Sequence, residues 1–190
     1  MTVWHGSSCA VAENHVDGIR RMASTDVGAS FGRTRSIRPK LVSIREADAV
    51  TLVYEQALSF THRFKRRGQG GIISRYSFDE AAAKGLDVLC FASYSDEWLA
   101  FVLTCRTGRD TSAYDIVSGG VANDRVFNTR VSLAKLVAIR VANSVELYLD
   151  QLIDRGEALR RLQYEKPNEQ LCLRTASALN LLHFEGSESV

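Results

Sequence analysis

Residues 86–92, LDVLCFA, form a run broken by a single charge, Asp87. Such an almost continuous apolar segment predicts a buried strand, because a strand with one face in water would alternate. Its neighbours narrow the fold class. Before it, IISRYSF (72–78) reads as a strand and FDEAAAKG (78–85) as a short helix closed by Gly85. After it, Ser95-Asp96-Glu97 opens a helix: the serine satisfies free amides and the acids sit at the positive end. Trp98, Phe101, Val102 and Cys105 form its inner face.

The rest of the chain is less regular. VWH (3–5) reads as a short strand breaking at Gly6-Ser7-Ser8, and Ile44 to Phe64 has near-helical apolar spacing that ends in the basic stretch HRFKRRG. Tyr114, Ile116 and Val117 predict a strand that stops at Gly119-Gly120, with Asn123-Asp124 just beyond. That corner is either a tight turn or a place where a ligand approaches the backbone. A long helical stretch is expected from about 131 to 162, then a strand at QLCLR (170–174) and a helix at TASALNLL (175–182). This order is α+β, not a regular βαβ alternation. Thr34–Gln56 and Thr129–Gln151 match at 11 of 23 positions, and both read as helix; two copies are fewer than a repeat architecture needs.

With 190 residues, 45% hydrophobic and 24% charged, the chain is long enough for one good core, so residues 1–190 are expected to form a single domain. The net charge of +2 does not argue for a nucleic-acid partner. Its distribution is uneven: from Arg20 to Arg67 there are eleven Lys and Arg against four Asp and Glu. A solvated arginine-rich face accounts for this; RNA binding would instead predict a steep salt dependence. Cys9, Cys90, Cys105 and Cys172 lack metal-ligand spacing, and the last three sit in apolar runs as small buried hydrophobes would. No metal is expected. With no signal-like N-terminus and no apolar run near about 18 residues, a cytoplasmic protein without a membrane partner is expected.

GQGG (68–71) lacks the Lys-Ser/Thr of a P-loop, and Ser7 or Ser8 with His5 lacks a nucleophile elbow. WHGSS (4–8) carries more chemistry. A histidine at a strand end, followed by glycine, sets an imidazole donor beside backbone groups that together grip a carboxamide or a ribose hydroxyl. A histidine satisfied at an edge turn is the alternative.

WHGSS, DVGASFG, YSFDEAAAKGLDVLCF, DEWLAFV, YDIVSGGVANDRVFNT and EALRRLQYEKPNEQLCLRTASALNLLHF occur in this order. In that order they resemble a largely bacterial family, domain of unknown function thirty-nine-ninety, grouped with ADP-ribosyltransferase-like proteins. The resemblance covers most of the chain. It implies an ADP-ribosyltransferase-like split mixed β-sheet sandwich with flanking helices, holding NAD as substrate in an open cleft. His5 would bond the ribose next to nicotinamide, Gly6 would offer its backbone to the carboxamide, and Ser7 would add a polar contact. The tyrosine that stacks on nicotinamide is missing from DVGASFGRTRS, where Phe31 remains.

The resemblance also implies a carboxylate on a late strand, placed to stabilise the cationic ribose formed as nicotinamide leaves. Gln170 stands at that position here, with Glu169 beside it; an amide holds a hydroxyl but supplies no full charge. Asn123 and Asp124 would border the cleft. Two stretches, near 33–53 and 130–144, look like helical insertions or an imperfect gene model. Two functions follow as expectations: NAD-dependent transfer of ADP-ribose to a macromolecular acceptor, or an inactive nucleotide- or protein-binding module that keeps the fold. Family context adds toxin or effector behaviour with a small helical neutralising partner.

Overall fold

The computed structural model describes residues 1–8, 48–66, 68, 70–107, 109, 113–123, 126–133, 136–164 and 168–190. In chain order the elements are β1 (Thr2–Ser8), β2 (Asp48–Thr51), α1 (Tyr54–Lys65), β3 (Gly71–Phe78), α2 (Glu80–Ala83) and β4 (Val88–Cys90). Then come α3 (Asp96–Arg106), β5 (Ile116–Gly120), β6 (Val126–Leu133), β7 (Leu136–Asn143) and α4 (Ser144–Leu149). The chain closes with α5 (Arg155–Leu162), β8 (Glu169–Leu173), α6 (Ala176–Leu179) and β9 (Leu182–Ser189). The architecture is α+β, as expected: an open seven-stranded sheet in the order β4-β5-β8-β2-β1-β3-β9, with β6 and β7 paired separately. β4 and β5 run parallel and the other pairs antiparallel, so the sheet is mixed.

The register divides this sheet. β1 and β3 pair along their length, from Thr2↔Ser77 to Ser8↔Gly71, and β2 pairs with β8 from Asp48↔Leu173 to Thr51↔Gln170. Between β1 and β2, however, the partner pair is Trp4↔Thr51 alone. A block of β4, β5, β8 and β2 thus meets a block of β1, β3 and β9 at one point.

Directly paired residues share a face, and neighbours along a strand alternate. One face carries Trp4, Thr51, Gln170 and Cys172. There Trp98, Leu99 and Val102 of α3, Val145 of α4, and Ala158 and Leu162 of α5 pack with Val117 and Cys172 in one core. Trp98 is fully buried and donates its indole N–H to the Gly120 carbonyl at 3.0 Å. Removing a side chain of this kind costs about 3–5 kcal/mol, so this cluster anchors the β5–β8 half. The opposite face carries Val3, Val50, Tyr76, Leu171 and Leu173, covered by Ala178 of α6 with Leu86, Leu179 and Leu182 around it.

Several expectations are corrected. The helix expected from Ile44 begins at Tyr54: residues 48–51 are a strand because β8 supplies a ladder, and Thr51 Oγ1 ends it by accepting from the Val53 N–H at 3.1 Å. Residues 44–47 lie outside the described residues, as do residues 9–43, which hold most of the basic stretch. The helix expected over 131–162 is instead a hairpin followed by two short helices. β6 and β7 pair from Val126↔Asn143 to Leu133↔Leu136, and their many β-branched residues suit a pleated ladder. The two similar stretches are therefore not both helical.

A capping box then starts α4: Asn143 Oδ1 accepts from Glu146 N–H, and Glu146 Oε2 accepts from Asn143 N–H, both at 3.0 Å. Gln151, at φ 59°, breaks the chain between α4 and α5, and Asp154 caps α5. Asn143→Ala is expected to cost about 1–2 kcal/mol in urea unfolding; a loss under about 0.3 kcal/mol would show the cap contributes nothing.

LDVLCFA does contain a strand, but β4 is at the sheet edge, with Val88 and Cys90 exposed. Cys90 is thus not the buried hydrophobe expected, whereas Cys172 is buried. β1 does not break at Gly6 but continues to Ser8. β5 does end at the glycine pair, as expected, with Gly119 and Gly120 as its last two residues. Their lack of side chains makes room: a Cβ on Gly120 would lie 2.5 Å from the Tyr94 ring, and one on Gly119, at φ 153°, would lie 3.0 Å from Phe91 Cβ. β9 was not expected at all.

Candidate functional site

His5 lies on β1, one residue past the Trp4↔Thr51 junction, and pairs with the buried Ser74 of β3. By alternation it projects to the face carrying Val3 and Tyr76, opposite to Trp4. The ring is half-buried, and its Nε2 atom is shielded from solvent. Gly6 follows, paired with Ile73. A Cβ there would lie 2.3 Å from the Ala57 carbonyl oxygen, so the glycine is required by α1, which lies directly against β1. Ser7 continues the strand opposite Ile72.

Gln170 sits on β8 in the junction row, between Gly119 of β5 and Thr51 of β2. It is 2% exposed and projects to the Trp4 face, away from His5. Glu169 pairs with Gly120, is exposed, and by alternation shares the face of His5, two strands across the sheet and two residues along it, about 12 Å away. The sheet therefore brings Gln170 and β1 into one row but sets Gln170 and His5 on opposite sides.

Asn123 organises the chain leaving β5: its N–H donates to the Leu162 carbonyl at 2.8 Å, while Val121 N–H donates to the Asn168 carbonyl at 2.9 Å. Phe31 and Asp124 lie outside the described residues.

Other polar groups crowd the junction without having been expected. The Thr51 hydroxyl is 2.8 Å from Gln56 Oε1 and 3.0 Å from the Glu169 carbonyl oxygen, both acceptors. Thr51 and Gln56 are buried, and Gln56 Nε2 has no hydrogen-bond partner among the described residues. A buried donor of this kind fits the carbonyl of a carboxamide or a bound water. Two polar residues five apart, one on a strand not foreseen, gave no sequence signal.

On α5, the Arg160 and Arg161 guanidiniums donate to Glu157 and hold its carboxyl down to about 2. Burial raises the Tyr94 phenol. Among the described residues no helix is long and apolar enough to cross a membrane.

A family model described as "Protein of unknown function (DUF3990)" matches residues 49–184, from β2 into β9. His5, Gly6 and Ser7 precede the matched residues. No curated protein and no solved structure matches the chain. The match takes in β2, β8 with Gln170, and the Gly119-Gly120 strand between them and the edge, and on that extent the chain belongs to the DUF3990 family.

Proposed function

We propose that this protein is an ADP-ribosyltransferase-like module that binds NAD where the sheet divides, beside His5 and Gly6, without transferring ADP-ribose through Gln170. The division of the sheet carries the reading. Two blocks joined at Trp4↔Thr51 put the backbone and side chain of His5 just beyond the junction, where a carboxamide and a ribose hydroxyl find the donors and acceptors they need.

Transfer requires the bond between nicotinamide and the ribose to break, with nicotinamide leaving and positive charge developing on the sugar. A fixed carboxylate lowers that barrier, and a neutral amide does so far less. Gln170 is neutral, buried and turned from His5, which favours binding over chemistry.

A second reading has its own observation: Glu169 is ionisable, exposed and on the His5 face, so it would be the carboxylate of a transferase acting on a macromolecular acceptor. Calorimetric titration with NAD separates the outcomes. Binding is expected, weakened at least about tenfold in His5→Ala, which removes a hydrogen bond worth about 1–1.5 kcal/mol or more, with the melting temperature held. No nicotinamide release is expected. Release abolished by Glu169→Gln would establish the second reading, and no binding at millimolar NAD would sink both.

A further inference from the structure

The face opposite His5 carries a feature that NAD binding does not use. Trp4 and Arg75 are partners across β1 and β3, and Gly186 of β9 continues their row. Because Gly186 has no side chain, the row opens into a groove of about 340 Å³ bounded by Trp4, Tyr54, Ile73, Arg75 and Glu188. Its wall is aromatic: the Trp4 and Tyr54 rings meet edge to face, with centroids 6.3 Å apart at 83°. The Tyr54 hydroxyl donates to Glu188 Oε1, which orients the carboxylate at the end of the groove.

The charges around it favour one sign. Glu188 lines the groove, and Glu55 lies close enough to Tyr54 to add to the upward shift of its phenol pKa that the hydrogen bond to Glu188 causes. Glu185 stands in the irregularity where the β3–β9 register shifts between Arg75 and Tyr76, and its carboxylate reaches Arg75 at 3.1 Å. Arg75, the one cation among the described lining residues, is thus already compensated, leaving an acidic excess beside two aromatic rings. An anion would meet Glu188 and Glu55 with only a shared guanidinium in return.

We propose that this groove binds a guanidinium group. A guanidinium is planar, stacks on an indole or phenol face, and donates paired hydrogen bonds to a carboxylate. An ammonium lacks the flat face, and a neutral amide lacks the charge. The group arrives either on a free small molecule or on an arginine side chain. For the second source, β9 is the last strand in the sheet order, so an extended segment laid along it delivers a side chain into the groove. The site is independent of NAD binding.

Tryptophan emission tests this, because Trp4 lines the groove while Trp98 is fully buried in the other half of the molecule. Nα-acetylarginine N-methylamide is expected to change the emission saturably, and the neutral isostere Nα-acetylcitrulline N-methylamide is not. Glu188→Gln, at an exposed position, is expected to keep the wild-type circular dichroism and weaken the arginine probe about tenfold. An acetylated peptide with one arginine among glycines, compared with the single-residue probe, assigns the source: tighter binding indicates a peptide, equal binding a free guanidinium compound, and both uphold the site. The proposal is overturned by no saturable response to the arginine probe, by an equal response to citrulline, or by undiminished affinity in Glu188→Gln.

Discussion

Gly6→Ala is expected to lose at least about 3 kcal/mol of stability, through overpacking against backbone that has nowhere to go. The added Cβ would lie 2.3 Å from the Ala57 carbonyl oxygen and 3.2 Å from its carbon. A side chain in the way would rotate, but Ala57 is helical backbone, fully buried in the first turn of α1. Sliding the helix along the sheet does not relieve the clash, because a second glycine fixes it one row on: a Cβ on Gly71 would lie 2.6 Å from Thr61 Cβ. The loss corresponds to a fall in melting temperature of roughly 6–12 °C for a chain of this size. Urea unfolding followed by circular dichroism measures it. A cost under about 1 kcal/mol accompanied by lost NAD binding would show that Gly6 is there for a ligand and not for α1.

The contrast between these two roles shows where sequence reading stops. β3, α3 with its Ser95 cap, β5 and β8 were legible because each combines a local apolar pattern with a local start or stop signal, and Ser95 Oγ does accept from Trp98 N–H. β7 was missed although Val137, Ile139 and Val141 alternate as a strand's residues do, because the segment was read together with the helical spacing that follows it; pairing with β6 makes it a strand. β9, with its polar HFEGSES, is a strand because β3 offers it an edge, which no property of those residues announces. Gly6 misleads for the same reason: it reads as a strand break because the α1 backbone that requires a glycine there, at Ala57, comes from a distant part of the chain, whereas the strand end expected at Gly119-Gly120 is where β5 ends.

The candidate site failed to be legible at one particular link. Whether His5 and Gln170 meet depends on counting alternation from β1 through β2 to β8. Residues 48–51 read as helix, so there was no strand through which to count, and the resemblance brought the two residues together without that constraint. The structure supplies β2, and the count puts the imidazole and the amide on opposite faces. Glu169, one residue earlier, lands on the imidazole's face by the same parity.

Restoring the carboxylate by Gln170→Glu is therefore expected to damage the fold without creating a transferase. The position is 2% exposed, so the new group would ionise inside the packed sheet face, and burial pushes a carboxyl upward. A folded-state pKa raised above the unfolded value of about 4.3 means that the folded protein holds its proton longer, so the penalty is near zero below that pH. It grows as pH rises until the folded-state pKa is passed, reaching about 3–4 kcal/mol by neutral pH for a shift of two to four units. The melting-temperature gap between variant and wild type should accordingly narrow on acidification from pH 7 toward pH 4. Glu169→Gln, at the exposed neighbour, should stay within about 0.5 kcal/mol of wild type throughout. If instead Gln170→Glu matches wild type at pH 7 and releases nicotinamide from NAD, the residue must face a solvated cleft shared with His5. Its buried place between Gly119 and Thr51 would then not be the functional one, and the transferase reading would rest on position 170 after all.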